Sequence, residues 1–403
     1  MSAQLVEASA LAVASLLRPP TQHGVVDPVL AWHRACQHVL CPQAPHRPKA
    51  VSFAVIQSCT ESIFPSGLID EPSLLHYSNV LWLRGHAALY DGTTGLALPG
   101  TFLTRFPYQQ QAPDCSLFRV EITGPSDTFH CLDRALLIPS AECGDFGRFI
   151  TETMAFVWPL LSDARSSVEG YPVLLRGCDD LDPAAAILHA LCRATHAFPV
   201  LERDLPPVVV LNEVVVPEPS LRLKAWWSPH HLRSLSRLAD WLLGWDGQAA
   251  SGKPDAAMVY LSRSGAGQDA HCVEQEQGLE ALLAQLGWLI FHPEMHSLSE
   301  LLAVVRSASV LAGFECSALH ALGCVDPDSP PPALILLGDC PSPDYFLQFR
   351  AQGLRGFFVH CTSAPLASDR SAEGQSRYLN CAVESLVPMI HELANVCLAE
   401  AGS

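Results

Sequence analysis

From Met258 onward the chain alternates short apolar runs with amphipathic segments, and that alternation limits its possible folds more than any other feature. Runs at 258–261, 288–291, 310–312, 333–337 and 357–360 have strand length and are rich in aliphatic and aromatic residues. Between them, 274–286, 298–307, 317–322 and 345–352 carry helical periodicity, and 378–398 predicts a last helix. Strands separated by helices require right-handed crossovers and a parallel sheet covered on both faces. The expected fold class is therefore α/β.

The first part of the chain reads differently. From Ala50 to Ser140 it is rich in strand signals, including Val51 to Ile56 and Val80 to Leu83. A helix is predicted over 149–161, a strand at 173–175 and a helix over 184–195; one or two strands come next at 208–216, then a helix over 231–243. Residues 246–257 contain glycine, proline, serine and lysine with no apolar period, as a linker would. This predicts an N-terminal lobe over 1–245, a second lobe over 258–375, and a closing helix over 376–403 that crosses back to the first.

Composition bounds the function classes. At 403 residues with 49% hydrophobic and 16% charged, the chain is sized for two cores. Its net charge of −17 opposes nucleic-acid binding. Lysine occurs only at Lys49, Lys224 and Lys253, so no polybasic run faces an anionic membrane. Met1 to Leu17 is apolar but carries Glu7 and no basic leader, which predicts an amphipathic helix rather than a signal peptide. No stretch predicts an integral membrane segment. The fifteen cysteines include no C-x-x-C pair, so reduced thiols in a cytoplasmic protein are expected, with no structural metal. Oligomeric state is left open.

Two segments lie where parallel sheets bind ligands, beyond strand carboxyl ends. Tyr260-Leu261-Ser262-Arg263-Ser264-Gly265 ends a strand in hydroxyls and a guanidinium that can fork onto phosphate. Gly313-Phe314-Glu315-Cys316-Ser317-Ala318-Leu319-His320 lets the chain turn sharply, with Ser317 placed to cap a helix whose free N–H groups suit an anion. On residue chemistry alone, a capped core helix fits as well. His320 reads equally as a core histidine or a ligand. His230-His231 lacks metal-site spacing, and Trp226-Trp227 suits packing or sugar stacking.

These residues carry a resemblance. Gly313 to Ala321 is similar to the G-x-[HE]-G-S-A-L-x-N signature of family 61 glycosyltransferases, which occur among capsule-polysaccharide proteins and eukaryotic xylosyl- and N-acetylglucosaminyltransferases. Gly144 to Thr153 resembles the family's N-Y-x-H-[FW]-[LI]-x-[ED]-[TVF] segment, and Tyr260 to Arg263 its Y-[LIV]-S-R strand end. Val210 to Pro217, Leu221 to His231, His292-Pro293-Glu294 and Leu298-Ser299-Glu300 appear in the family's order.

The resemblance implies two Rossmann-like lobes of GT-B type and an inverting, metal-independent transfer from a nucleotide-sugar co-substrate, taken as UDP-linked. The acceptor would be a hydroxyl of a glycan, glycolipid or protein, met by the N-terminal lobe. Carried over, Ser262 and Arg263 hold the diphosphate, and Gly313, Ser317, Ala318 and Leu319 shape its backbone cradle. Glu315 and His320 sit at donor sugar or ribose positions. Arg148 stands where the family often has histidine and cannot act as a base. Asp145, and after it Glu152, are therefore the candidate catalytic carboxylates, with Arg148 a possible phosphate or acceptor contact. Cys316, Ala321 and Leu301 replace the usual glycine, asparagine and glutamine. The alternative these departures leave open is a degenerate transferase that binds a sugar nucleotide or a partner without turnover.

Overall fold

A computed structural model describes residues 31–32, 34, 48–63, 72–86, 88–101, 120, 130–139, 143–144, 146–178, 181–182, 184–223, 226–245, 257–265, 273–339, 342–363, 377–379 and 381–401. The expected first helix, Asp145 and nearly all of the expected linker lie outside the described residues.

In chain order the elements begin β1 (Lys49–Ser52), α1 (Phe53–Ile63), β2 (Leu74–Leu83), β3 (Tyr90–Asp91), β4 (His130–Ile138) and α2 (Met154–Leu161). Next come β5 (Pro172–Leu175), α3 (Ala185–Ala194), β6 (Phe198–Leu201), β7 (Val208–Pro217), β8 (Leu221–Arg222), β9 (Trp226–Trp227) and α4 (Pro229–Trp245). After these are β10 (Met258–Leu261), β11 (Val273–Glu274), α5 (Glu276–Gln285), β12 (Leu289–Phe291), α6 (Leu298–Ser307) and β13 (Val310–Phe314). The last are β14 (Ala333–Gly338), α7 (Pro343–Gln352), β15 (Gly356–His360), β16 (Thr362–Ser363), β17 (Arg377–Leu379) and α8 (Val383–Ala401). This is a mixed α/β chain with parallel sheets.

It divides into two compact units: residues 69–237, and residues 238–403 joined by 1–68. The division therefore falls elsewhere than the single break at 246–257 that composition suggested. The cause is a long-range pairing. β1 runs antiparallel along β15, Lys49 opposite His360 and Ser52 opposite Phe357. Behind it Phe53 stacks on Phe349 at 5.2 Å and meets Phe346 edge-on at 5.6 Å. Val51 to Ile56 is thus not one strand: the chain leaves β1 at Ser52 and turns helical so that Phe53 and Ile56, one turn apart, both face inward.

In this unit the sheet order is β1-β15-β14-β13-β10-β12, with every pair parallel except β1–β15. Taking only the parallel strands, the first lies between the second and the third, so the winding reverses between β10 and β13. α5 and α8 cover one face, with Leu279, Leu283, Leu386 and Ile390 against Tyr260, Ala312 and Ile335. The alternating residues Val259, Leu311, Leu334 and Leu336 are fully buried too, so the other face is also covered. α8 packs on α5, β13 and β14. Its predecessor, expected as helix from Tyr378, is instead β17, held by parallel pairing to β11 and antiparallel pairing to β16.

The other unit centres on a sheet ordered β3-β2-β7-β4-β5-β6, parallel from β7 to β6. The stretch expected as one helix over 149–161 is interrupted: a π-turn at Phe149–Thr153 precedes α2. Thr151 Oγ1 bonds back to the Gly147 carbonyl at 2.7 Å, which competes with the helical ladder. Pro159 lies inside α2 and cannot donate to Ala155. The freed Ala155 carbonyl accepts from the Ser220 amide at 2.8 Å and its hydroxyl at 3.0 Å. Because that hydroxyl donates to Ala155, its 2.8 Å contact with His231 Nδ1 is an N–H donation from the ring. Ser220 and His231 are fully buried, and His231 lies edge-on to Trp227 at 5.1 Å, so these residues serve packing.

Candidate functional site

In open α/β sheets the crevice beyond the strand carboxyl ends, at the point where the winding reverses, is where ligands bind. Here that point lies between β10 and β13, which end in the two segments singled out from sequence. The Arg263 guanidinium crosses the gap, Nη1 donating to the Glu315 carbonyl at 2.9 Å. Gly313 makes the approach possible: a Cβ there would lie 2.8 Å from the Leu261 carbonyl oxygen on the adjacent strand.

Each flanking loop is braced. Ser262 is fully buried; its hydroxyl donates to Glu280 Oε1 at 2.5 Å and accepts from the Ser264 amide at 3.0 Å. Ser262 therefore fixes the turn rather than presenting its hydroxyl. Glu315 Oε1 accepts from the Ser342 amide at 2.8 Å, tying the β13 loop to the start of α7. The Tyr345 hydroxyl donates to the Cys316 carbonyl at 2.9 Å. His320 lies flat on Tyr345, ring centroids 4.7 Å apart, with Nδ1 2.9 Å from Gln348 Oε1. That packing gives His320 a structural place beneath the loop.

The turn after β13 also differs in detail from expectation. Ser317–Cys324 forms a 3₁₀ helix, and Cys316, not Ser317, holds the cap position, without a side-chain cap bond. Ser317 is exposed, whereas Ala318 and Leu319 are buried. The Ala318 and Leu319 N–H groups bear on the Cys316 thiol, and burial pushes that thiol up to about 11. Leu319 N–H also bonds the Cys316 carbonyl at 3.1 Å. The raised value keeps Cys316 a neutral thiol near pH 7.

Beneath Arg263 lies a residue the sequence reading did not single out. Glu276, the first residue of α5, is 1% exposed. Its Oε1 accepts from the Tyr260 hydroxyl at 2.9 Å and from the Arg263 amide at 3.2 Å. Its Oε2 has no hydrogen-bond partner among the described residues. Burial pushes its carboxyl up to about 7, against the lowering pull of those two donors. The only local hint was the spacing of Glu276 and Glu280, one turn apart at the head of a predicted helix. Glu280 extends the network to His292 Nε2 at 3.8 Å, and His292 Nδ1 lies 3.7 Å from Glu294.

The remaining candidates belong to the unit over 69–237. Glu152 sits in the π-turn with a side chain 15% exposed, and Arg148, 64% exposed, reaches it at 3.9 Å. Asp145 lies outside the described residues. Among the described residues no three histidine, cysteine, aspartate or glutamate side chains are grouped to hold a metal ion. No described helix is long and apolar enough to cross a membrane.

The fold defines an α/β protein in which one parallel sheet reverses its winding between the strand ends that lead to Arg263 and Glu315. Residues 134–330 match the family model described as glycosyltransferase 61. Its span takes in Arg148, Glu152, Arg263 and the loop after β13. No curated protein matches the chain. Similarity to this family over that span implies a sugar donor and an acceptor.

Proposed function

We propose that the protein is an inverting, metal-independent glycosyltransferase of GT-B type that moves a sugar from a nucleoside diphosphate sugar, UDP-linked, to a hydroxyl of a glycan, glycolipid or protein. The observation that carries this reading is the Arg263 guanidinium held across the β10–β13 switch point. A guanidinium beside parallel strand ends is suited to a diphosphate, whose charge grows as the sugar–phosphate bond breaks. The acceptor oxygen bonds the anomeric carbon on the face opposite the departing diphosphate, and a carboxylate takes its proton. Asp145 is our first candidate for that base and Glu152 the second, with Arg148 contacting phosphate or acceptor. Gly313, Glu315 and the 317–320 turn shape the donor site around Arg263, and no cofactor beyond the nucleotide sugar enters the scheme.

Titration with UDP-, GDP- and CMP-sugars tests the reading. UDP-sugar binding by the wild type should weaken about 10- to 100-fold in Arg263→Ala, the loss of a charge-assisted contact. Unchanged affinity in that variant would remove the site. Asp145→Asn should retain donor binding and lose transfer. Binding without transfer under every acceptor tried would instead favour a degenerate, binding-only protein.

A further inference from the structure

We propose that Glu276 is a positioning residue for the diphosphate site, holding the Arg263 amide through Oε1, and that its carboxyl must carry a proton for a nucleoside diphosphate to bind. This deepens the nucleotide-site reading and rests on it.

The geometry has three parts. Oε1 is committed to two donors, the Tyr260 hydroxyl and the Arg263 amide, so the carboxyl fixes the turn that presents the guanidinium. Oε2 is buried and unpartnered among the described residues, a place where a negative charge is costly. The groups that face this carboxyl are Tyr260 on β10, Arg263 in the turn, Glu280 on its own helix and Cys316 in the loop after β13. His292 stands beyond Glu280, and Cys361 beyond Tyr260.

Only Arg263 in this set is a fixed cation, and it supplies the charge a diphosphate needs. An ionised Glu276 competes for that same positive charge and repels the phosphates. A protonated Glu276 leaves Arg263 wholly to the ligand while still accepting its amide hydrogen. With the free carboxyl poised near pH 7, a diphosphate arriving beside it favours the protonated form further. Binding above neutral pH therefore takes up a proton from solvent, and by linkage its affinity declines with pH.

The test is calorimetric titration of the full chain with UDP at pH 6 and pH 8, in buffer pairs of different ionisation heat. Wild type should take up a substantial fraction of one proton per UDP at pH 8, with affinity falling toward about tenfold per pH unit above 7. Glu276→Gln keeps the acceptor for the Arg263 amide and cannot ionise. It should bind with an affinity flat over that range and take up no proton beyond any exchanged by UDP itself. Glu276→Leu, with no acceptor, should lose binding at both pH values. Wild-type binding at pH 8 without proton uptake overturns the inference, as does an uptake in Glu276→Gln equal to that of the wild type. If the Gln variant does not fold, the wild-type uptake alone decides. Weakening by Arg263→Ala together with absent uptake refutes the role of Glu276 and leaves the nucleotide site standing. If UDP does not bind, or Arg263→Ala binds it as wild type does, the site reading falls and this inference with it.

Discussion

Replacing Glu276 by glutamine should change stability in a way that depends on pH, and the site itself sets the size of the change. The carboxyl titrates near 4.5 when solvated and is pushed up to about 7 in the folded chain, chiefly by burial. The folded state therefore holds this proton more tightly than the unfolded state. The associated stability is complete below pH 4.5, declines as pH rises, and is gone once pH passes about 7. At 1.4 kcal/mol per pH unit the full loss is about 3 kcal/mol, of which about 2 to 3 kcal/mol falls between pH 5 and pH 8.5.

Glutamine preserves the acceptor for Tyr260 and Arg263 and titrates nowhere in that range. Relative to wild type, Glu276→Gln should therefore gain about 2 to 3 kcal/mol in going from pH 5 to pH 8.5, whatever its offset at pH 5. Urea unfolding of both proteins at the two pH values, monitored by tryptophan fluorescence and far-ultraviolet ellipticity, measures this difference. An equal offset at both pH values would mean that Glu276 is ionised throughout, and that its buried, unpartnered oxygen does not hold the proton.

Three further outcomes are expected. Phe53→Ala empties a fully buried ring position against Phe346 and Phe349, and should destabilise the unit that includes residues 258–363 by about 3 to 5 kcal/mol. Hydrogen exchange should show the loss in β13–β15; a loss confined to 69–237 would contradict the discontinuous unit. Gly313→Ala forces a methyl against the Leu261 carbonyl, so it should cost about 1 to 3 kcal/mol and weaken UDP binding together, as thermal melts with and without UDP would reveal. Cys316→Gly removes the side chain at the cap of the 3₁₀ helix while keeping its carbonyl bond to Leu319, and titration should show UDP binding up to about tenfold tighter; weaker binding would mean that this cap does not face the ligand.

Much of the β10–β15 sheet was legible in the sequence. β10, β13 and β14 fall on the predicted apolar runs to within a residue or two, because strands buried on both faces carry an unbroken hydrophobic signature. Arg263 and the Gly313–Glu315 turn were legible for the same reason, since each comes at the end of such a run. Edge and junction elements were not. Val51 to Ile56 has strand-like composition, yet β1 is an edge strand of four residues, and its continuation is decided by aromatic residues some 300 positions away. Tyr378 and Leu379 fit the helical period of α8, but pairing with β11 and β16 takes them into a strand. The interruption at Phe149–Thr153 likewise depends on a back-bonded threonine, and the helix beyond it on a distant serine that satisfies the carbonyl freed by Pro159.

By itself, then, the sequence determined the alternating α/β character of residues 258–360, the strand ends that carry Arg263 and Glu315, and the family features shared with glycosyltransferase 61 proteins. These are local properties, written in the periodicity and in the residues next to each strand. Tertiary structure alone decided the strand order that sets β10 beside β13, the joining of β1 to β15, the burial of His320 on Tyr345, and the placing of Glu276 beneath Arg263. Each depends on which distant segments share hydrogen bonds and exclude water together. A carboxyl at the head of an amphipathic helix looks solvated in sequence, and only its neighbours across the sheet show that it is buried.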